Sequence, residues 1–252
     1  MTRAFGVLLR RELGAILFSP IAYVTFVLLY LVNGFSFQFV LEVVSQNGSM
    51  QNFTIMQFFF GTFFYWIVVL VSIPILTMRL FSEEYRAGTI ELLLTAPVTD
   101  WDVVLSKFFS QVLFYLGLWL PTLLYLAIFQ WLTKNQIPVN WGPLLLTYAM
   151  VLLVGMFYLS IGVFTSALTK NQVIAAFSSF AIIVLIFFSG FLNIGSTDSA
   201  FQEFIRYIGA LEHMQTFARG IFDTRPVVFY LSFTALFLIL TQQVMTMRRL
   251  KS

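Results

Sequence analysis

Six long apolar stretches constrain the fold of this chain more than any other feature of its sequence. They cover residues 20–41, 58–78, 108–132, 144–168, 173–194 and 227–246, and none of them contains Asp, Glu, Lys or Arg. A helix of roughly 20 apolar residues crosses the hydrocarbon core of a bilayer, which is about 30 Å thick. We therefore expect an all-α polytopic membrane protein in which six transmembrane helices form a single domain over residues 1–252.

The composition excludes most alternatives to a membrane protein. Hydrophobic residues make up 60% of the chain and charged residues only 10%. A soluble domain typically contains about 25% charged residues. This balance is incompatible with a soluble enzyme or a nucleic-acid-binding protein, and it implies a lipid membrane as the environment.

The sequence contains no pattern that indicates catalysis or metal binding. Cysteine is absent and His213 is the one histidine, which excludes disulfides, thiolate nucleophiles and zinc sites rich in Cys or His. The glycine-rich residues 190–197 lack the lysine of a phosphate-binding loop. The spans also lack the ionisable residues that secondary transporters use as ion sites. We therefore expect no catalytic residue, metal site or cofactor on this chain, and we disfavour a membrane enzyme or a secondary transporter.

The distribution of Lys and Arg predicts the orientation in the membrane. The N-terminal segment, the second and fourth connections and the C-terminal segment contain ten of the 14 Lys and Arg residues, and the other connections contain four. Because cytoplasmic segments carry an excess of Lys and Arg, we expect both termini to be cytoplasmic.

Residues 3–18 have the spacing of an amphipathic helix. Apolar side chains recur on one helical face at Phe5, Leu9, Leu13 and Ile16, while Arg3 and Arg10 fall on the opposite face. The segment is either a helix lying in the membrane interface or a frayed cytoplasmic tail.

The connection at 79–107 is too long and too charged for a simple turn. Gly88 and Pro97 divide it, because glycine ends helices and proline disfavours a helical residue before it. One short helix is expected from near Thr89 to Pro97. Another is expected from Thr99, an N-cap candidate followed by acidic residues in its first turn. From these residues alone, a solvated cytoplasmic turn that only connects two spans is the favoured interpretation.

The connection at 195–225 also has helical features. Ser199 and Gln202 have the spacing of a capping box, and an apolar stripe follows at Phe201, Phe204, Ile205, Ile208 and Leu211. Gly209 and Gly220 are expected to bend or end the helices. The segment is either a pair of amphipathic helices at the outer interface or a structured loop that only packs.

Three residues inside the spans predict helix geometry. Pro121 lies in the middle of the third span and is expected to kink it. Gly155 and Gly162 of the fourth span are expected to allow close helix packing.

Residues 77–108, TMRLFSEEYRAGTIELLLTAPVTDWDVVLSKF, resemble the signature of ABC-2 type permeases. The residues that carry the resemblance are Arg79, Glu83, Glu84, Gly88, Thr89, Glu91, Leu92, Leu93, Pro97 and Lys107. Residues 10–24, 166–176 and 219–232 are in addition similar to the permease subunit associated with gliding motility.

The resemblance implies a function and a set of partners. The chain would be the permease subunit of an ATP-driven exporter in the bacterial inner membrane. It would pair with a second copy or a paralogue and with an ATP-binding subunit that holds ATP and Mg, and an extracytoplasmic accessory protein is also possible. The alternative is a membrane anchor that docks an ATPase without moving substrate.

The resemblance also assigns segments of the chain. Residues 90–96, which include Ile90 and Leu94, would be the coupling helix that meets the ATPase. Residues 3–18 would be the connecting helix, with Arg3, Arg10, Arg11 and Glu12 as its charged residues.

Overall fold

The computed structural model describes residues 3–47, 60–90, 98–132, 140–190 and 207–249, which contain α-helices and no β-strand. The helices are α1 (Arg3–Leu17), α2 (Pro20–Asn47), α3 (Phe63–Thr77), α4 (Ser82–Ala87), α5 (Asp100–Trp119), α6 (Leu123–Leu132), α7 (Trp141–Leu168), α8 (Gln172–Ser189), α9 (Ala210–Ala218) and α10 (Thr224–Arg249). A single 3₁₀ turn, Leu120–Thr122, separates α5 from α6 and contains Pro121.

Six helical stretches within these residues are long and apolar enough to cross a membrane. They are Pro20–Phe39, Phe63–Ala87, Asp100–Leu132, Trp141–Leu168, Gln172–Ser189 and Thr224–Arg249. The expected all-α fold with six transmembrane helices is therefore confirmed. Residues 58–59 and 191–194, at the predicted ends of the second and fifth spans, lie outside the described residues.

The third span differs from its predicted boundary. We expected a surface helix starting near Thr99 and a separate span after Lys107, but α5 runs without a break from Asp100 through Lys107 to Trp119. The apolar stretch marks only where the charged residues stop, and hydropathy does not show whether the backbone is already helical before that point. Lys107 is consequently a residue of the helix bundle and not of a loop.

The fourth span, α7, occupies the centre of the bundle. It packs against α3, α5, α8, α9 and α10. A Cβ atom on Gly162 would lie 2.1 Å from Oγ1 of Thr77, and one on Gly155 would lie 2.2 Å from Cε1 of Tyr115. Both glycines therefore allow the close helix contacts that we expected of them.

The described part of the connection between the fifth and sixth spans is a short helix packed on the bundle. Gly209 is the N-cap of α9, and Gly220, with φ of 83°, follows its end. One face of α9 is buried against α7, and Nδ1 of His213 lies 3.2 Å from the hydroxyl oxygen of Tyr230 on α10. The predicted capping box at Ser199 and most of the apolar stripe lie outside the described residues.

Candidate functional site

The turn that follows α3 is attached to the central helix by one hydroxyl group. Oγ of Ser166 on α7 accepts hydrogen bonds from the backbone N–H groups of Phe81 at 3.1 Å and Ser82 at 3.3 Å. The same hydroxyl donates to the carbonyl oxygen of Met78 at 3.2 Å. Because the first N–H groups of a helix have no partner inside it, these bonds fix the position of α4 beneath the bundle.

Gly88 ends α4 in a left-handed conformation, with φ of 72°. A residue with a side chain is strained there, whereas glycine adopts this conformation readily. The chain then passes Thr89 and the buried Ile90. Five residues predicted to couple to an ATPase, Glu91, Leu92, Leu93, Leu94 and Pro97, lie outside the described residues.

A capping box begins α5. Oγ1 of Thr99 accepts a hydrogen bond from the backbone N–H of Asp102 at 3.1 Å, and the carboxylate of Asp102 accepts one from the N–H of Thr99 at 3.3 Å. This arrangement satisfies N–H groups that the first turn leaves free. Thr99 is therefore the N-cap predicted from the sequence.

Lys107 joins three separate elements through ion pairs. Its Nζ lies 2.9 Å from Oε1 of Glu84 on α4 and 3.2 Å from Oε2 of Glu12 on α1. One Arg11 nitrogen lies 2.6 Å from Glu12 and 3.4 Å from Glu84. We call Arg11, Glu12, Glu84 and Lys107 the Lys107 cluster.

The Lys107 cluster is largely removed from water. Only 2% of the Lys107 side chain, 10% of that of Glu12 and 19% of that of Glu84 is exposed. The ammonium group also lies 5.2 Å from the ring centroid of Phe81, within the range of a cation–π interaction. An unpaired charge in this place would be strongly destabilising, so each charge of the cluster depends on the others.

The electrostatics of Glu12 reflect this dependence. Burial by itself would raise the pKa of the Glu12 carboxyl. The charges of Lys107 and Arg11, and the hydrogen bonds they donate, outweigh that effect and hold the pKa below its ordinary value of 4.5. Glu12 is therefore charged at neutral pH.

The C-terminal end of α10 is attached to the same side of the bundle by a second set of contacts. Asp100 lies 3.1 Å from Arg249 and accepts a hydrogen bond from the hydroxyl of Thr246 at 2.9 Å. Arg248 donates to the carbonyl oxygen of Leu168 at 2.8 Å and stacks 4.1 Å above the ring of Tyr85. Both ends of the described chain thus converge on α4 and α5.

The other predicted site residues lie around the Lys107 cluster but do not join it. Arg79 pairs with Glu83 at 3.2 Å, one helical turn apart, and both side chains are partly exposed. Arg10 is exposed on α1, and Arg3 begins that helix. Gln111 was not among the predicted site residues. It is buried one turn after Lys107 on the same face of α5. Its i,i+4 spacing from Lys107 was the available signal.

A family model described as ABC-2 family transporter protein matches residues 8–251. The chain belongs to this family. The match includes residues 8–17 of α1 and the whole Lys107 cluster, so the ion pairs lie inside the family's domain. No curated protein matches the chain significantly. This ABC-2 family protein is thus a multi-pass membrane component of an ABC transporter.

Proposed function

We propose that this chain is the permease subunit of an ATP-driven exporter, moved by an ATP-binding subunit that docks on the segment between α4 and α5. The observation that carries the proposal is that one ammonium group binds both Glu84 of α4 and Glu12 of α1. The carboxylates of Glu12 and Glu84, which are 72 residues apart in sequence, both bind α5 through Lys107. A displacement of one of these three elements therefore displaces the other two.

The segment at 88–99 is well placed to receive that displacement. It begins where Gly88 ends α4 and finishes at the Thr99 cap of α5. Its first end follows Glu84 by about one helical turn, and its second end precedes Lys107 by about two turns of α5. A force applied between them passes to α3 and α5, and through Glu12 to α1, as a rigid-body shift of packed helices.

Several residue roles follow from this proposal. Residues 90–96 are proposed to act as the coupling segment, and α1 as the connecting helix that follows its motion. The residues proposed to meet the ATP-binding subunit or to shape the coupling segment are Arg79, Glu83, Thr89, Ile90, Glu91, Leu92, Leu93, Leu94 and Pro97. The 3₁₀ turn at Pro121 is proposed to localise bending of the third span.

The proposed setting is the bacterial inner membrane, with both termini in the cytoplasm. The Lys and Arg distribution supports this orientation. ATP and Mg are bound by the ATP-binding subunit. A second copy or a paralogue completes the transport pathway, because six helices do not enclose one alone. The similarity of residues 10–24, 166–176 and 219–232 supports the gliding-motility subgroup and an extracytoplasmic accessory protein.

Site-specific crosslinking tests where the ATP-binding subunit docks. The chain contains no cysteine, so Leu93→Cys introduces a single reactive site. We expect it to crosslink to the ATP-binding subunit. The matched control is Leu236→Cys, at an exposed leucine in the middle of α10 that should not crosslink. Labelling of Thr95→Cys from outside intact cells would contradict the proposed orientation.

A transport measurement tests the role of the Lys107 cluster. In a reconstituted complex, Glu84→Gln should lower the amount of substrate moved per ATP hydrolysed, because it removes the charge that ties α4 to α5. Glu212→Gln, at an exposed carboxylate on α9, is the control and should leave that ratio unchanged. Equal ratios in both variants would count against coupling through the cluster. ATP hydrolysis with no substrate movement in the unmodified complex would favour the anchor function.

A further inference from the structure

A cavity of about 330 Å³ lies between α1 and the first three spans, next to the Lys107 cluster. One part of its wall is charged and contains the cluster together with Arg79 and Glu83. The other part is apolar and includes Ile16, Ile21, Ile75 and Leu76. Pockets for small molecules have volumes of about 300–1,000 Å³, so this one has room for a headgroup and the first part of its attached chains. A cavity with one charged and one apolar wall suits an amphiphile.

The charges of the cavity exclude a simple anion site. Arg11, Arg79 and Lys107 each lie within 3.4 Å of a carboxylate, and the three cations are balanced by Glu12, Glu83 and Glu84. A purely anionic headgroup would meet no net positive charge. A headgroup that carries both a positive and a negative group matches a wall of this kind.

Two buried acceptor oxygens of the cavity wall have no hydrogen-bond donor, which indicates the group that a ligand should supply. Oε1 of Gln111 and Oε2 of Glu84 are buried and accept no hydrogen bond. The Gln111 residue is only 1% exposed. Buried acceptors in this situation are ordinarily satisfied, so the ligand should supply N–H groups. A primary ammonium has three such donors, whereas a quaternary ammonium has none.

We propose that this cavity binds an amphiphile whose headgroup joins a primary ammonium to a phosphodiester, as in phosphatidylethanolamine. The ammonium lies between Gln111 and Glu84, and the phosphodiester lies towards the partly exposed guanidinium groups of Arg11 and Arg79. The attached chains leave along the apolar wall. This site goes beyond the proposed coupling function, because Gln111 belongs to no ion pair of the Lys107 cluster.

Lipid retention measured by native mass spectrometry tests the site. The purified chain is delipidated and then equilibrated with phosphatidylethanolamine and phosphatidylcholine of identical acyl composition. These two lipids have the same net charge and differ in their N–H donors. We expect at least a tenfold preference for phosphatidylethanolamine. Equal retention of the two lipids, or a preference for phosphatidylglycerol, would overturn the proposal.

Two variants connect the preference to the cavity. Gln111→Leu should abolish it while leaving the fold intact, because leucine has a similar size and removes a buried Oε1 that has no hydrogen-bond partner. Gln38→Leu, at an exposed amide on α2, should retain the preference. Persistence of the preference in Gln111→Leu would overturn the site even if the coupling function holds.

A competition experiment distinguishes the source of the headgroup. Soluble glycerophosphoethanolamine is added to the phosphatidylethanolamine-loaded chain. Displacement of the lipid would show that a free headgroup suffices, and resistance to displacement would show that the acyl chains contribute through the apolar wall. Both outcomes support a site for a primary ammonium group. Displacement assigns the site to a soluble headgroup, and resistance assigns it to the intact lipid.

Discussion

Replacing Lys107 by methionine should destabilise the protein by about 2–4 kcal/mol. Removing one partner of a buried ion pair costs about 3–5 kcal/mol, because the remaining charge is left without compensation. Here Glu12 and Glu84 would both lose the ammonium that they share at 3.2 and 2.9 Å. Arg11 would still lie near both carboxylates, and Glu84 retains 19% exposure of its side chain, so the loss falls towards the lower end of that range.

The destabilisation is measured by equilibrium unfolding in mixed micelles with sodium dodecyl sulfate, followed by tryptophan fluorescence. The matched control is Lys170→Met, because Lys170 is exposed in the connection between α7 and α8. Substitutions at such positions change stability by less than about 0.5 kcal/mol. A destabilisation by Lys107→Met as small as that of the control would show that Glu12 and Glu84 do not depend on Lys107 for charge compensation.

The pH dependence of the variant provides a second check. In the unmodified protein the pKa of Glu12 is depressed, so its contribution to stability is present above 4.5 and is lost as the pH falls through the folded pKa. Without Lys107, Glu12 loses the nearby charge that contributes most to lowering its pKa, so that pKa should rise. The stability difference between the two proteins should therefore shrink as the pH falls from 7 to 5. A difference that grows over this interval would contradict the account.

Four further predictions concern single residues. Gly162→Ala should destabilise the protein by about 1–3 kcal/mol because its Cβ would lie 2.1 Å from Thr77. Gly117→Ala, with no atom within 4 Å, should stabilise it by about 0.5–1 kcal/mol in the same unfolding assay. Gly88→Val should lower transport per ATP because φ of 72° strains a β-branched residue, whereas Gly88→Asn should retain coupling. Glu12→Gln should flatten the loss of stability below pH 4.5, as measured by unfolding at several pH values.

Local features of the fold were predictable because their causes are local. The Thr99 cap depends on residues three positions apart, and the end of α4 at Gly88 depends on one residue's backbone freedom. The packing role of Gly155 and Gly162 follows from the lack of a side chain in an otherwise apolar helix. Each of these features needs no information about the rest of the chain.

The Lys107 cluster was not predictable in the same way. Lys107, Glu84 and Glu12 were identified individually, from the family resemblance. Their association depends on how three helices pack, and Lys107 lies 95 residues from Glu12. A lysine next to a span usually lies in water, and hydropathy alone supports that interpretation. Lys107 is buried instead because α5 begins at the Thr99 cap, so that Lys107 is already part of a helix packed in the bundle.

The amino-acid sequence is sufficient to establish that this chain is a bundle of six membrane helices. Hydrocarbon offers no hydrogen-bond partners to the backbone, so uncharged apolar stretches of this length have no other stable conformation than a helix. The sequence does not show which charges meet or where a cavity forms between them, because both depend on the tertiary structure. Ion pairs and cavities depend on the relative positions of elements that are distant in sequence, and helix packing sets those positions.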